Sequence, residues 1–237
     1  MYPVSGAGRT VNGNVFIIVT GCIADNLKCI RGHIDAAAAR AGRDPASVTL
    51  VAVTKTVGTE EIRALHALGV RDMGENRLEA ARPKIEAAPD DLRWHFIAPI
   101  QSRKAREVVA LFSVADAVDR VKVARVLQQR CEEQERTLEI LLEVNVTGEA
   151  AKHGFSLEET PAAIREIEAF DRLRLTGLMT MAPFGAPEPV LRACFRQLKA
   201  MCDNAGLPEC SMGMSDDFEI AVEEGATQVR IGTALFA

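Results

Sequence analysis

The chain has 237 residues, of which 48% are hydrophobic and 26% charged, and its formal net charge is −5. This composition is that of a folded globular protein and excludes a chain that is mainly disordered. The acidic balance also argues against a nucleic acid partner, because proteins that bind duplexes carry net positive charge or a clear basic stripe.

The first residues and the first predicted elements set the pattern of the chain. We predict that residues 1–22 form an N-terminal extension that is flexible or holds one short strand. Its apolar run Val15–Val19 is too short to span a bilayer, so we expect no membrane partner. Residues Asp25–Arg40 are predicted to form a helix, because apolar residues recur at helical spacing and Gly42 follows as a stop. The β-branched run Val48–Thr54 then indicates a strand buried on both faces, which is typical of a parallel sheet.

From this first strand onward, predicted strands and helices alternate to the end of the chain. The predicted strands are Val48–Thr54, Val70–Met73, Leu92–Ala98, Val114–Val118, Leu138–Val146, Leu173–Met181, Ser211–Met214 and Gln228–Ile231. The predicted helices between them are Thr59–Leu68, Leu78–Ala87, Ser102–Leu111, Val121–Glu135, Leu157–Phe170, Pro189–Ala205 and Asp216–Glu224. Such alternation implies parallel strands joined by right-handed crossovers.

The number of repeating units selects the architecture. Eight strands preceded by one helix predict a single α/β domain, a (β/α)8 TIM barrel with an extra N-terminal helix. An open, doubly wound sheet is the alternative, but no Gly-x-Gly-x-x-Gly motif follows the first strand and no P-loop is present. No shift in composition marks a linker, so we predict one domain over residues 23–237.

The cysteines bear on metals and compartment. None of the six lies in a Cys-x-x-Cys pair, and no cysteine–histidine cluster has the spacing of metal ligands. A chain of this length does not need disulfide bonds for stability, so we interpret the thiols as reduced. We therefore expect a cytoplasmic protein without a metal site.

Groups that can carry chemistry lie where the first and last predicted strands end, which is the functional face of a closed barrel. Lys55 directly follows the first strand, where desolvation and neighbouring cations can make its amine a nucleophile that forms a Schiff base. The alternative is a lysine that merely reaches solvent. Arg230 lies in the last strand, and the turn after it offers Gly232 and Thr233 as a phosphate cradle of backbone N–H groups and a hydroxyl. Because the first and last strands are neighbours in a closed barrel, we expect these groups to meet at one mouth.

Other polar residues follow the remaining strands. Asn76 comes after the second strand, and Ser215 is a candidate N-cap whose helix can bind an anion or is a plain helix start. His95 lies in an apolar strand, where a hydrogen-bonded core histidine is commoner than a base or a ligand. Met179 is likewise expected to be part of a wall.

Seven segments, in this order, resemble the motifs of the pyridoxal phosphate homeostasis protein family. They are Val51–Lys55, Met73–Asn76, Trp94–Ile97, Lys152–Phe155, Gly177–Met181, Ser211–Glu219 and Val229–Thr233. The resemblance implies a barrel of the pyridoxal-phosphate fold type III, similar to the N-terminal domain of alanine racemase. One segment departs from the family pattern, because Ala98–Lys104 lacks the family's histidine and asparagine after Trp94–Ile97.

The resemblance also implies roles for individual residues. Lys55 would hold pyridoxal 5′-phosphate as a Schiff base, and Arg230 would face the pyridine nitrogen. The phosphate would be held by Ser215, Gly232 and Thr233. Asn76 would line the pocket of the ring.

Two features then favour binding over catalysis. An arginine beside the pyridine nitrogen disfavours its protonation by like-charge repulsion, which weakens the ring as an electron sink. The second base of the racemases is a tyrosine from a separate domain, whereas the only tyrosine here is Tyr2, outside the predicted barrel. We therefore predict a non-catalytic binding protein in intracellular vitamin B6 homeostasis.

The expected partners, the oligomeric state and the alternative functions complete the prediction. We expect pyridoxal-phosphate-dependent apo-enzymes as transient recipients of the cofactor. We also expect a monomer, because the domain that makes the racemases' dimer contacts is not expected here. The alternatives are a pyridoxal-phosphate-dependent amino-acid racemase or decarboxylase, and a class-I aldolase that uses Lys55 without a cofactor.

Overall fold

The computed structural model describes residues 14–149 and 153–237. In this part of the chain, eight parallel strands close into a barrel in the order β1 to β8, with β1 paired to β8. The strands are β1 (Thr49–Val53), β2 (Asp72–Glu75), β3 (Arg93–Phe96), β4 (Val114–Val118), β5 (Leu138–Glu143), β6 (Leu173–Met179), β7 (Glu209–Ser211) and β8 (Gln228–Ile231). The predicted TIM barrel is confirmed.

The helices surround this barrel. They are α1 (Asn14–Arg40), α2 (Thr59–Ala67), α3 (Leu78–Ala87), α4 (Ala105–Leu111), α5 (Val121–Glu133), α6 (Thr160–Ile167), α7 (Glu188–Ala205), α8 (Phe218–Glu223) and α9 (Thr233–Phe236). Every predicted helix is present, although α4 follows a 3-10 turn at Ser102–Lys104 and α6 begins later than predicted. No helix within residues 14–149 or 153–237 has the length and apolar character needed to cross a membrane.

The N-terminal extension differs from the prediction. Helix α1 begins at Asn14, so a short strand is wrong for residues 14–22, and residues 1–13 lie outside the described part of the chain. The helix packs against α2, α8 and α9, and it buries Ile23 and Leu27 among them. The amide of Asn26 donates to the carbonyl of Leu235 in α9. These tertiary contacts hold α1 against its three neighbouring helices.

The seventh strand was also predicted in the wrong place. It spans Glu209–Ser211, whereas the sequence predicts Ser211–Met214. The cause is Gly213, whose φ of +93° ends the extended run. A Cβ on Gly213 would lie 2.6 Å from the Cβ of Ala221, so only glycine allows α8 to approach this closely.

The interior of the barrel is partly apolar and partly charged. Val114, Ala117, Leu141 and Met179 form a small apolar cluster of buried residues. The charged groups Asp116, His95 and Arg230 are also buried. Buried charges require partners, and the partners decide what each group can do.

Candidate functional site

The first and last strands bring two predicted site segments together. Val51 pairs with Arg230, and Ala52 pairs with Ile231. The turn after β8 lies against the end of β1, because a Cβ on Gly232 would be 3.3 Å from the Cβ of Val53 and 3.4 Å from its carbonyl oxygen. Because Gly232 has no side chain, this turn can pack against Val53, which lies two residues before Lys55 in the sequence.

Lys55 lies at the barrel mouth, just beyond β1. The preceding residue, Thr54, closes the strand by donating its backbone N–H to the carbonyl of Gly74, at 3.0 Å. Lys55 is exposed, and its amine has no hydrogen bond or ion pair with any residue that the structure describes. Its amine is therefore available to a ligand at the mouth, and its covalent role stays a prediction.

The turn after β8 and the loop after β7 meet beside this lysine. The backbone N–H of Ala234 donates to the hydroxyl of Ser215, at 3.4 Å, and joins the two segments. Within the described chain, the backbone N–H groups of Ser215, Asp216 and Thr233 find no acceptor. Together with the hydroxyls of Ser215 and Thr233, these free donors suit an anion such as a phosphate group.

Ser215 is not the N-cap of the following helix. Helix α8 begins at Phe218, and the capping position belongs to Asp217, whose carboxylate accepts from the backbone N–H of Met214 at 2.6 Å. The prediction of Ser215 as an N-cap is therefore wrong. The serine hydroxyl is instead turned towards the β8 turn, where it contacts Ala234.

Arg230 is a buried cation fixed in position. Its Nη1 donates to the hydroxyl of Ser211 at 2.6 Å, and its Nη2 donates to the carbonyl of Thr180 at 2.8 Å. Burial lowers the pKa of this guanidinium, while the nearby carboxylates of Asp116 and Asp217 oppose that shift. Arginine nevertheless stays charged at neutral pH, so Arg230 is a permanent positive charge beneath the mouth.

Asn76 follows β2 directly and is half-buried. It lies at the same end of the barrel as Lys55, because β1 and β2 are adjacent parallel strands. All six predicted cofactor-binding residues thus lie at the carboxyl ends of the strands.

Sequence reasoning missed a second lysine beside Lys55. The amine of Lys84, on α3, lies 2.7 Å from Oε1 of Glu75 and donates to the carbonyl of Thr54 at 2.8 Å. The same carboxylate accepts from the hydroxyl of Thr54 at 2.7 Å. The sequence signal for such a lysine is Glu75 itself, because an acid in a buried strand requires a cation nearby.

His95 belongs to a charged network inside the barrel. Its Nδ1 lies 2.9 Å from Asp116, and its Nε2 lies 3.0 Å from Asp72. Burial favours the neutral ring, but the two carboxylates outweigh it and raise the pKa of His95 to about 9. His95 is thus the hydrogen-bonded core histidine that its apolar strand predicts.

Residues 25–237 match the family described as the alanine racemase N-terminal domain. A pyridoxal phosphate homeostasis protein of Pseudomonas aeruginosa is 45% identical over 217 residues, which cover 90% of this chain and 94% of the relative. The chain belongs to the pyridoxal phosphate homeostasis protein family. A member from Escherichia coli is 37% identical over 226 residues, which cover 90% of this chain and 95% of that member.

Solved structures agree with this family assignment. PipY of Synechococcus elongatus, solved with pyridoxal phosphate bound, is 32% identical with a TM-score of 0.78, and the match covers 91% of this chain and all of PipY. The PipY structure without the cofactor has a TM-score of 0.82. Alanine racemase of Clostridium difficile is 13% identical with a TM-score of 0.72, over 89% of this chain and 56% of the racemase, and shares the fold alone.

Proposed function

We propose that this protein binds pyridoxal 5′-phosphate at the barrel mouth and acts in the homeostasis of that cofactor without catalysing turnover. The observation that carries the proposal is the anion cradle of Ser215 and Thr233 beside the amine of Lys55, which has no partner among the residues that the structure describes. The names of relatives at 37–45% identity and the PipY structure with its bound cofactor support it.

The residues present fit the cofactor. When bound, pyridoxal 5′-phosphate supplies an aldehyde that condenses with amines. Lys55 would provide the amine, and the free N–H groups and hydroxyls of Ser215 and Thr233 would hold the phosphate. Asn76 would contact the ring from the β2 side of the mouth.

Arg230 supports the non-catalytic part of the proposal. Its guanidinium is pinned by Ser211 and Thr180 and cannot lose its proton at neutral pH. Next to a pyridine nitrogen it would oppose protonation of that atom, and carbanion chemistry depends on such protonation. The racemase or decarboxylase alternative is not favoured, because the relatives above carry the homeostasis name.

The proposal also covers the compartment, the oligomeric state and the partners of the protein. We place the protein in the cytoplasm as a monomer that passes its cofactor to apo-enzymes. The described residues contain no disulfide bond between cysteines, which supports a reducing compartment.

The test is reconstitution with pyridoxal 5′-phosphate, removal of excess cofactor and measurement of the visible spectrum. We expect a cofactor band that disappears in Lys55→Ala and persists in Lys28→Ala, a control lysine exposed on α1. Borohydride reduction followed by mass spectrometry should locate the cofactor on Lys55.

Two outcomes would contradict the proposal. Absence of any band after reconstitution would end the binding claim and favour an aldolase that works without a cofactor. Steady exchange of an amino acid's α-proton in deuterated water by the loaded protein would end the non-catalytic claim.

A further inference from the structure

Glu143, the last residue of β5, is a buried acid at the barrel mouth. The residue is 3% exposed, and its Oε2 finds no hydrogen-bond partner in the part of the chain that the structure describes. Among the described side chains it takes part in no ion pair, whereas the buried acids Glu75 and Asp116 are paired with a lysine and a histidine. A buried carboxylate without a cation is costly, so this exception requires an explanation.

Among the described residues, the charges around Glu143 attract its carboxylate only weakly. Burial and then the charge of Asp119 raise the pKa of Glu143, against the weaker attraction of His153 and Arg230. Arg230 does not bond to it, since its guanidinium is directed to Ser211 and Thr180. Oδ1 of Asp119 is also buried and finds no hydrogen-bond partner among the described residues, whereas its Oδ2 lies 3.5 Å from Nδ1 of His153 and 3.6 Å from Nη1 of Arg120.

A cavity of about 360 Å³ opens beside Glu143. Its other walls are five apolar residues and two polar ones, namely Val144, Met181, Ala182, Phe184 and Met214, with Asn145 and His153. Phe184 is 92% exposed, whereas most phenylalanine side chains in folded proteins are buried. The cavity thus combines one buried acid with a largely apolar surface, and Asn145 and His153 lie at its edge.

The cavity adjoins the candidate cofactor site without sharing its assigned residues. Met181 follows Thr180, whose carbonyl accepts from Arg230, and Met214 precedes Ser215. A ligand in the cavity would therefore lie next to a molecule held by Lys55 and the phosphate cradle.

We propose that this cavity binds an aliphatic primary ammonium group, which donates to Glu143 while its alkyl chain packs against Met181, Phe184 and Met214. An ammonium supplies the missing positive charge together with three donors. A metal ion is a poor occupant, because no cluster of three or more His, Cys, Asp and Glu side chains in the described residues could hold one. The ligand class is an alkylamine, whether from a free amino acid or from a lysine side chain.

The test is calorimetric titration of the cofactor-free protein with n-butylamine, with n-butanol and butyrate as probes of the same chain length. We expect saturable binding of butylamine and much weaker binding of the other two. Glu143→Gln should weaken butylamine binding by about ten-fold or more, since hydrogen bonds to charged groups are the strong ones. Glu168→Gln, an equal change of charge at an exposed position near the end of α6, should leave binding unchanged.

A second measurement does not depend on any variant. Butylamine should shift the NMR signals of Glu143, Met181 and Phe184 in the unmodified protein. Equal binding of butylamine and butanol, or an unaltered affinity in Glu143→Gln, would overturn the proposal, as would shifts confined to other surfaces.

The source of the amine can be distinguished by two further probes. Nα-acetyl-L-lysine methylamide represents a lysine side chain in a protein, and L-norleucine represents a free amino acid of similar length. Tighter binding of one identifies the source, and binding of neither would contradict the proposal. Because these titrations use protein without cofactor, their failure is distinct from failure of the visible band in the reconstitution experiment.

Discussion

The interior of the barrel and its mouth contain the same kinds of charged side chain but satisfy them differently. In the interior, Asp72 and Asp116 each bond to one nitrogen of His95, so each acid lies against a cation, although Oδ2 of Asp116 has no hydrogen-bond partner among the described residues. At the mouth, Lys55 and Glu143 have no such partners among the described residues. The charged groups of the interior therefore stabilise the fold, whereas those at the mouth are available to bind a ligand.

One group crosses this division. Lys84 lies near the mouth by position, yet it is nearly buried and fully engaged with Glu75 and Thr54. The two lysines, Lys55 and Lys84, thus offer a direct test, because the same substitution should cost much stability at Lys84 and very little at Lys55.

The largest expected effect on stability is that of Lys84→Ala. Removing this amine leaves the carboxylate of Glu75 buried without a cation, and breaking a buried pair in this way costs about 3–5 kcal/mol. Lys55→Ala removes an exposed amine without partners and should change the free energy of unfolding by less than about 0.5 kcal/mol. Urea unfolding of both variants measures the difference, and equal losses would show that Lys55 also stabilises the fold.

The second prediction concerns the interior and the pH dependence of stability. The pKa of His95 is raised to about 9 in the folded protein, whereas an unfolded histidine titrates near ~6.5. The folded state therefore binds the extra proton, and its stabilising effect is complete below the unfolded pKa and is lost as pH rises through the folded pKa. We therefore expect the free energy of unfolding to fall by a few kcal/mol as the pH rises from about 6.5 to about 9.

His95→Gln should flatten that decline. His33→Gln is the matched control, because His33 is an exposed histidine that bonds to Glu219 at the surface. The control should keep the pH dependence of the unmodified protein. A decline that is the same in His95→Gln would mean that His95 is neutral inside the barrel.

The sequence predicts most of the fold because the relevant signals are local. Continuous β-branched runs alternate with helical periodicity, and β4 and β8 have the predicted bounds. The errors arise where distant contacts decide. Helix α1 begins at Asn14, earlier than predicted, and it packs on three other helices, while β7 is displaced by the conformation of Gly213, which lies against α8.

The same distinction explains which site residues could be predicted. Lys55, Gly232 and Thr233 follow from closure of the barrel, which makes the first and last strands neighbours. Lys84 could not be placed, because linear spacing does not show which helical side chains reach over the strand ends. Glu143 was missed for a related reason, since a missing partner is visible only when every neighbouring side chain is in place.

The smallest expected effect is on cofactor affinity and not on folding. Ser215→Ala and Thr233→Ala each remove one hydroxyl from the phosphate cradle and leave its backbone N–H groups intact. Each should weaken retention of pyridoxal 5′-phosphate by at most about 1.5–3 kcal/mol, the contribution of a hydrogen bond to a charged group. Equilibrium dialysis measures the dissociation constants, and Thr137→Ala, an exposed threonine before β5, is the control.

Because both hydroxyls lie at the mouth, the unfolding free energy should stay nearly constant while affinity falls. An unchanged dissociation constant in the double variant would mean that the phosphate binds elsewhere, and a parallel loss of stability would mean that these hydroxyls serve the fold as the interior network does.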